Sequence, residues 1–254
     1  MDGRTLRVVD LGRLPYAPAC RVQGEHLDEV LASREAATPE VGRLLLVEHD
    51  PVVTIGRRPG SARHLTATPE QLARHGVAVA ESDRGGDVTY HGPGQVVAYP
   101  ILDLNVLGLG LHAYMRMLES VVIDALAAFG VRGERDTSAT GVWVRSDHRA
   151  GGPAKIAAMG VRVRRWVSMH GLALNVSTNP EHFGLIVACG LAGRSVTNLS
   201  TVLGTRCPSM DEVKRALVAS MIDHVERARR EAVARRAAAA VGSNPPSGVR
   251  LTPT

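Results

Sequence analysis

Between Leu111 and Phe129 apolar residues return every third or fourth position. Leu111, Tyr114, Met115, Leu118, Val121, Val122, Ala125, Leu126 and Phe129 form the series, and Gly130 follows. That period lays them on one stripe and predicts a helix over 111–129. Weaker patterns predict helices over 22–37, 180–189 and 211–236. Asp211 and Glu212 open the last of these, where acids suit the N-terminal dipole. Short apolar runs predict strands over 7–9, 43–47, 52–55, 77–80, 95–101, 141–144, 156–164 and 167–174. Strands come both in neighbouring runs and between helices, and no internal repeat occurs. The expected fold class is therefore α/β in an α+β style, a mixed β-sheet flanked by helices.

Length and composition narrow the picture without redirecting it. At 254 residues the chain suits one α/β domain better than two. Hydrophobic residues make up 44% and charged residues 22%, ordinary globular values. No apolar run reaches the ~18 residues a membrane span needs. The first residues, Met1 to Thr5, include an acid and no apolar stretch, so no secretory signal is expected. Cys20, Cys189 and Cys207 form a sparse, odd set, which suits a reducing cytosol better than a disulfide framework. No CxxC or clustered His/Cys spacing suggests a structural zinc site.

The net charge of +5 invites a nucleic-acid reading, but most of it sits at the end of the chain. From Val225 to Thr254 six Arg face two Glu, which leaves the rest nearly neutral. Aromatics at 3% provide few platforms for stacking bases. The expected organisation is a single domain over 1–226. A tail over 227–254 follows, Arg/Ala-rich and then Pro/Gly/Ser-rich, partly disordered and solvated. Of the 30 basic residues, 28 are Arg and only Lys155 and Lys214 are Lys. A chain that uses Arg wherever a plain positive charge will do makes Lys155 conspicuous.

Three segments could carry chemistry. The first is Arg84-Gly85-Gly86-Asp87-Val88-Thr89-Tyr90-His91, continuing through Gly92-Pro-Gly94-Gln95. Its glycines allow close approach of backbone to a ligand, and its polar side chains offer convergent donors. It is neither a Walker A loop nor GxGxxG, and composition alone fits a polar hairpin as well. The second is Lys155-Ile-Ala157-Ala158-Met159-Gly160, a lysine leading an apolar strand after a Gly-Gly-Pro loop. A solubility-guarding Lys at a strand edge would look the same. The third is Cys189 beside Gly190 at the end of an apolar run, which taken alone reads as a small buried hydrophobe. Cys20 and Cys207 carry that same reading.

Taken together, RGGDVTYHGPGQ, AKIAAMG followed by MHGLALNV, and ACG before Ser195-Val-Thr-Asn-Leu resemble the lipoyl(octanoyl) transferases. Glu48 to Arg57 also looks like that family, and the resemblance runs from about Leu44 to Leu203. Ala188 and Asp87 depart from it, where Pro and Gln are usual. The resemblance implies the fold of biotin and lipoate protein ligases. It implies transfer of an octanoyl group from octanoyl-acyl carrier protein to a lysine of a lipoyl domain. Acceptors would be lipoyl domains of 2-oxoacid dehydrogenase E2 subunits and the glycine cleavage H protein. Cys189 would be the nucleophile and Lys155 the base. Arg84 through His91 would line the acyl pocket, with Ala158, Met159, Gly160, Gly171, Leu172 and Ala173 as its other wall. No cofactor is implied, because the acyl group arrives on the carrier's phosphopantetheine. No nucleic-acid or membrane partner is expected, and the expected state is a cytoplasmic monomer.

The chemistry fits these residue types. A free cysteine is only about 3% thiolate at pH 7, so a base or cation must assist it. A lysine can serve if an apolar neighbourhood favours its neutral form, whereas an arginine does not deprotonate in proteins. His91 and His170 are alternative bases, with lining roles the better expectation. Val53, Ile55, Met159 and Leu172 are candidates for an apolar slot worth about 0.8 kcal/mol per buried methylene. Backbone N–H groups near Gly190 or in the Arg84–Gly86 loop could meet the oxyanion. The rival readings are an ATP-dependent lipoate or biotin ligase, a non-catalytic acyl or carrier binder, and a basic nucleic-acid binder.

Overall fold

A computed structural model describes residues 6–145, 152–187 and 194–242. The strands are β1 (Arg7–Leu14), β2 (Gly42–His49), β3 (Val52–Ile55), β4 (Ala78–Glu81), β5 (Thr89–His91), β6 (Gln95–Leu102), β7 (Gly133–Arg135), β8 (Val142–Val144), β9 (Ala154–Arg164) and β10 (Val167–Asn175). The helices are α1 (Tyr16–Ala32), α2 (Pro69–Arg74), α3 (Leu104–Leu107), α4 (Leu111–Ala127), α5 (Leu199–Leu203) and α6 (Met210–Gly242).

Seven strands form one mixed sheet in the order β1-β2-β6-β10-β9-β8-β7, with only β1 and β2 parallel. A second sheet has the order β4-β3-β5. The inner strands β2 and β6 are buried on both faces, which is why residues 44–47 and 96–102 within them read as apolar runs. Alternation divides them. Leu44, Leu46, Val96 and Ala98 pack in a core with α4 and α6, through Leu118, Val122, Leu217 and Met221. Leu45, Val47, Val97, Tyr99 and Ile101 pack against α1, through Ala19, Leu27 and Val30. A third cluster, including Val53, Val77, Val88, Tyr90, Leu185 and Ile186, sits with the small sheet.

Some elements differ from the sequence reading. Helix α1 begins at Tyr16, six residues early, because Pro15 stands at its N-cap and Pro18 falls in the first turn, where no intrahelical N–H bond is lost. Its buried stripe of Tyr16, Ala19, Gln23, Leu27 and Val30 includes a glutamine that interrupts the apolar pattern. The helix expected over 180–189 is a short 3-10 turn over Pro180–Leu185, and residues 188 and 189 lie outside the described residues. Strands β5 and β7 and helices α2, α3 and α5 are too short to carry a period.

The boundary expected at 226/227 falls inside α6, which continues unbroken to Gly242. Ala228 and Ala232 are buried. Arg235 Nη2 donates to the Gly108 carbonyl at 3.3 Å, and Arg236 Nη2 to that of Asn105 at 2.5 Å. These arginines meet the carbonyls that end α3, where cations are favoured. Ala228 and Ala232 thus join the packed body, while the other side chains over 227–236 are exposed.

Candidate active site

Strands β9 and β10 are the floor from which the site is built. Their register pairs Ala158 with Ala173, Met159 with Leu172, Gly160 with Gly171 and Val161 with His170. All eight residues line a cavity of about 450 Å³. Lys155 lines it too, six residues before Val161 on the same strand. At ~3.3 Å per residue, the cavity follows β9 for about 20 Å. Tyr16, Tyr99, Leu111, Met115 and the segment Ser138–Thr140 complete the walls.

The glycine loop closes over this floor. Gly85 N donates to Val161 O at 2.8 Å, which binds the loop to β9. A Cβ on Gly160 would lie 2.8 Å from Gly85 O, so the loop needs a bare backbone beneath it. Arg84 is buried, and its Nη2 donates to the carbonyl and hydroxyl of Thr54 at 2.9 and 3.0 Å. Asp87 Oδ1 accepts from His64 Nδ1 and from Val88 N, both at 2.7 Å. Burial pushes this carboxyl up, but His64, the Val88 amide and Arg58 together hold it below the usual carboxylate range.

Of the expected lining residues, Arg84, Gly85, Gly86, Asp87, Thr89 and His91 face the cavity. Val88 and Tyr90 do not. Side chains alternate along an extended segment, so Thr89 and His91 point one way while Val88 and Tyr90 enter the third cluster. Tyr90 there pairs its hydroxyl with His182 Nδ1 at 2.7 Å. Val53 and Ile55 belong to that same cluster and are not part of the slot, whereas Met159 and Leu172 are. Of the proposed oxyanion donors, the Gly85 amide is engaged by Val161, and Gly190 lies outside the described residues. Cys189 is outside them as well.

Lys155 is buried at 6% exposure, with Nζ donating to Thr140 O at 2.9 Å. The same nitrogen lies 4.8 Å from the centre of the Trp143 ring. Its backbone is bonded on both sides to the Ser195-Val-Thr segment: Lys155 N to Ser195 O at 2.8 Å, and Thr197 N to Lys155 O at 2.9 Å. A buried relay continues from there. Asn175 Nδ2 donates to Thr197 O, Gln95 Nε2 to Asn175 Oδ1, and the His91 Nδ1–Gln95 Oε1 pair ends it, at 3.0, 2.8 and 2.7 Å. Motifs scattered in sequence thus converge on one lysine and one histidine. Glu119 of α4, absent from the sequence reading, is also tied to this region. An acid on an apolar helix stripe was its only signal.

Both histidines are suited to accept rather than to carry charge. Burial pushes His91 down to about 3, with His49, Arg84 and His170 adding to the effect against Gln95. Burial, Arg84 and Arg162 push His170 down to about 4. Asp83 lies 2.6 Å from His170 Nε2, which alone would favour the imidazolium, but that carboxylate is already shared with Arg162. In the unfolded chain both histidines titrate near 6.5. The unfolded state therefore binds more protons below that pH, and stability falls as pH drops from about 6.5 towards 4. The expected slope is about 1.4 kcal/mol per pH unit for each histidine. A thermal midpoint that stayed flat between pH 6.5 and 4.5 would show that the folded protein accommodates the imidazolium forms.

Comparison with known proteins places this geometry. Residues 23–222 match the family described as lipoyl protein ligase A/B catalytic domain. The octanoyltransferase of Chloroflexus aggregans is 46% identical over 220 residues, spanning 86% of this chain and 94% of its own. Among solved structures, lipoate-protein ligase A bound with ATP superposes with a TM-score of 0.62 at 17% identity, covering 89% of this chain and 93% of that one. A bipartite lipoate protein ligase of Thermoplasma acidophilum, solved in a study with its E2 lipoyl domain, gives a TM-score of 0.62 at 17% identity over 89% and 91%. At that identity the structures speak for the fold alone, which is lipoate-protein-ligase-like. With the family model covering most of its length, the chain belongs to the lipoyl protein ligase A/B catalytic domain family.

Proposed function

We propose that the protein is an octanoyltransferase of protein lipoylation, moving an octanoyl group from acyl carrier protein to a lipoyl-domain lysine. The observation that carries this is the near-full-length 46% identity to an octanoyltransferase. The cavity along β9, with a buried lysine in its lining, suits the same reading. It takes an acyl chain along β9 and β10, with Met159 and Leu172 against the methylenes.

In the first half-reaction the Cys189 thiolate attacks the acyl carbonyl carbon. The carbon–sulfur bond to the carrier's phosphopantetheine breaks, and that thiolate leaves with the proton that Lys155 took from Cys189. In the second, the acceptor amine attacks the new thioester, Lys155 takes its proton, and the Cys189 sulfur leaves as the amide forms. The thioester is already activated, so the reading requires neither ATP nor metal. E2 subunits and the H protein are the proposed acceptors, and a cytoplasmic monomer is the proposed form.

The test is intact mass after mixing with octanoyl-acyl carrier protein without ATP. The wild type is expected to gain one octanoyl group, labile to hydroxylamine, that Cys189→Ala does not gain. No adduct and no octanoylated lipoyl domain would reject the reading. Product from free octanoate only when ATP is added would assign the ATP-dependent ligase instead.

A further inference from the structure

Glu119 is a carboxylate with 1% exposure on the inner side of α4. A helix that only needed to pack would place an apolar residue there, because a buried charge must be matched by partners to be tolerated. Its Oε2 accepts from Arg116 Nη1 at 2.7 Å and Arg135 Nε at 3.1 Å. Its Oε1 accepts from the backbone N–H of Gly141 at 3.2 Å. That last contact reaches out of the helix to the turn leading into β8.

Gly141 has φ +132°, a conformation side chains rarely adopt. A Cβ there would lie 2.7 Å from Ala157 O and 3.2 Å from Lys155 Cε, so the turn presses directly on the lysine. The residue before it, Thr140, supplies the carbonyl that Lys155 Nζ meets at 2.9 Å. Among the described residues that carbonyl is the one hydrogen-bond acceptor of the ammonium. Fixing the Gly141 amide fixes the peptide plane that contains the Thr140 oxygen, because both belong to the same rigid unit.

We propose that Glu119 is a positioning residue for Lys155: it holds the Thr140–Gly141 peptide so that the Thr140 carbonyl keeps the lysine nitrogen at the cavity. The consequence for turnover rests on the proposed acyl transfer, while the placement of Lys155 does not. Arg116 and Arg135 neutralise the carboxylate and leave one oxygen for the turn. Glu119 itself does not line the cavity, so its effect is expected on the chemical step more than on binding.

The test uses the full chain and two readouts. Glu119→Gln keeps an oxygen that can accept from the Gly141 amide and is the conservative control. Glu119→Asp keeps the charge but withdraws the oxygen from Gly141. Steady-state octanoyl transfer is measured beside competitive modification of the two lysines by acetic anhydride, with Lys214 as internal reference. Glu119→Gln is expected to retain most of the activity, whereas in Glu119→Asp kcat is expected to fall 10- to 100-fold, with KM for the acyl carrier within threefold. Modification of Lys155 relative to Lys214 should rise at least threefold in Glu119→Asp, as the nitrogen leaves its buried seat. An unchanged modification ratio in folded Glu119→Asp would overturn the proposal, as would a loss confined to KM. A wild type inactive in transfer would reject the acyltransferase reading, and the modification ratio would still decide the role of Glu119.

Discussion

Replacing Lys155 with arginine is expected to lower kcat by a factor of about 10²–10⁴, the usual worth of a positioned acid–base group. Charge is retained, so electrostatic support of a thiolate survives, but guanidinium does not give up its proton in proteins. The seat is also shaped for an ammonium. One carbonyl, from Thr140, meets Nζ at 2.9 Å, and the Trp143 ring lies 4.8 Å from it. A planar fork with five donors would leave several N–H groups without acceptors in a site with 6% exposure. Lys214→Arg is the matched control, since that lysine pairs with Asp10 at 2.8 Å, away from the cavity. Steady-state kinetics of both variants settle the assignment. Near-wild-type turnover in Lys155→Arg would remove the lysine from proton transfer, and a large loss in Lys214→Arg would point to the other lysine.

Gly171→Ala is expected to destabilise the fold by about 3 kcal/mol, the upper range for overpacking, and to lower Tm by roughly 6–12 °C. The added methyl would lie 2.3 Å from Ala98 O and 2.5 Å from Pro100 Cδ. Both belong to β6, buried along its whole length at the centre of the main sheet, so neither can step aside cheaply. The strands would have to separate where Gly171 faces the acyl cavity, and activity should fall with stability. Gly24→Ala in α1 is the opposite case, with open space around the position. It should stabilise by about 0.5–1 kcal/mol. Thermal melts of the two variants beside wild type check the pair; equal midpoints would mean that β6 and β10 tolerate a wider spacing than their register implies.

What sequence could reveal depended on the range of the interaction. Helix α4 is legible because its contacts repeat with one period, and β2 and β6 because burial on both faces keeps their central stretches, 44–47 and 96–102, apolar. Lys155 was legible for a compositional reason: a chain with 28 arginines keeps two lysines. Asp103, which caps α3 and also accepts from Arg34, was not legible, because its partner lies 69 residues away. The capping box of Thr68 and Gln71 was written in the sequence, but six residues of helix supply no period to announce it. The motif over Arg84–His91 implies a continuous cavity wall, whereas the alternation of the extended chain turns Val88 and Tyr90 to the opposite side. Glu119 shows in the sequence only as an acid on an apolar stripe, since its meaning comes from Gly141, 22 residues on.

Helix α6 has a consequence for how the molecule is made. Val213, Leu217, Met221, Val225 and Ala228 fill the same core as Leu44, Leu46, Val96 and Leu118, which are synthesised long before them. The main sheet can assemble on the ribosome, but the face that α6 covers stays open until translation has passed residue 228. A nascent chain stalled before that point presents a broad apolar surface, the kind of species that chaperones bind.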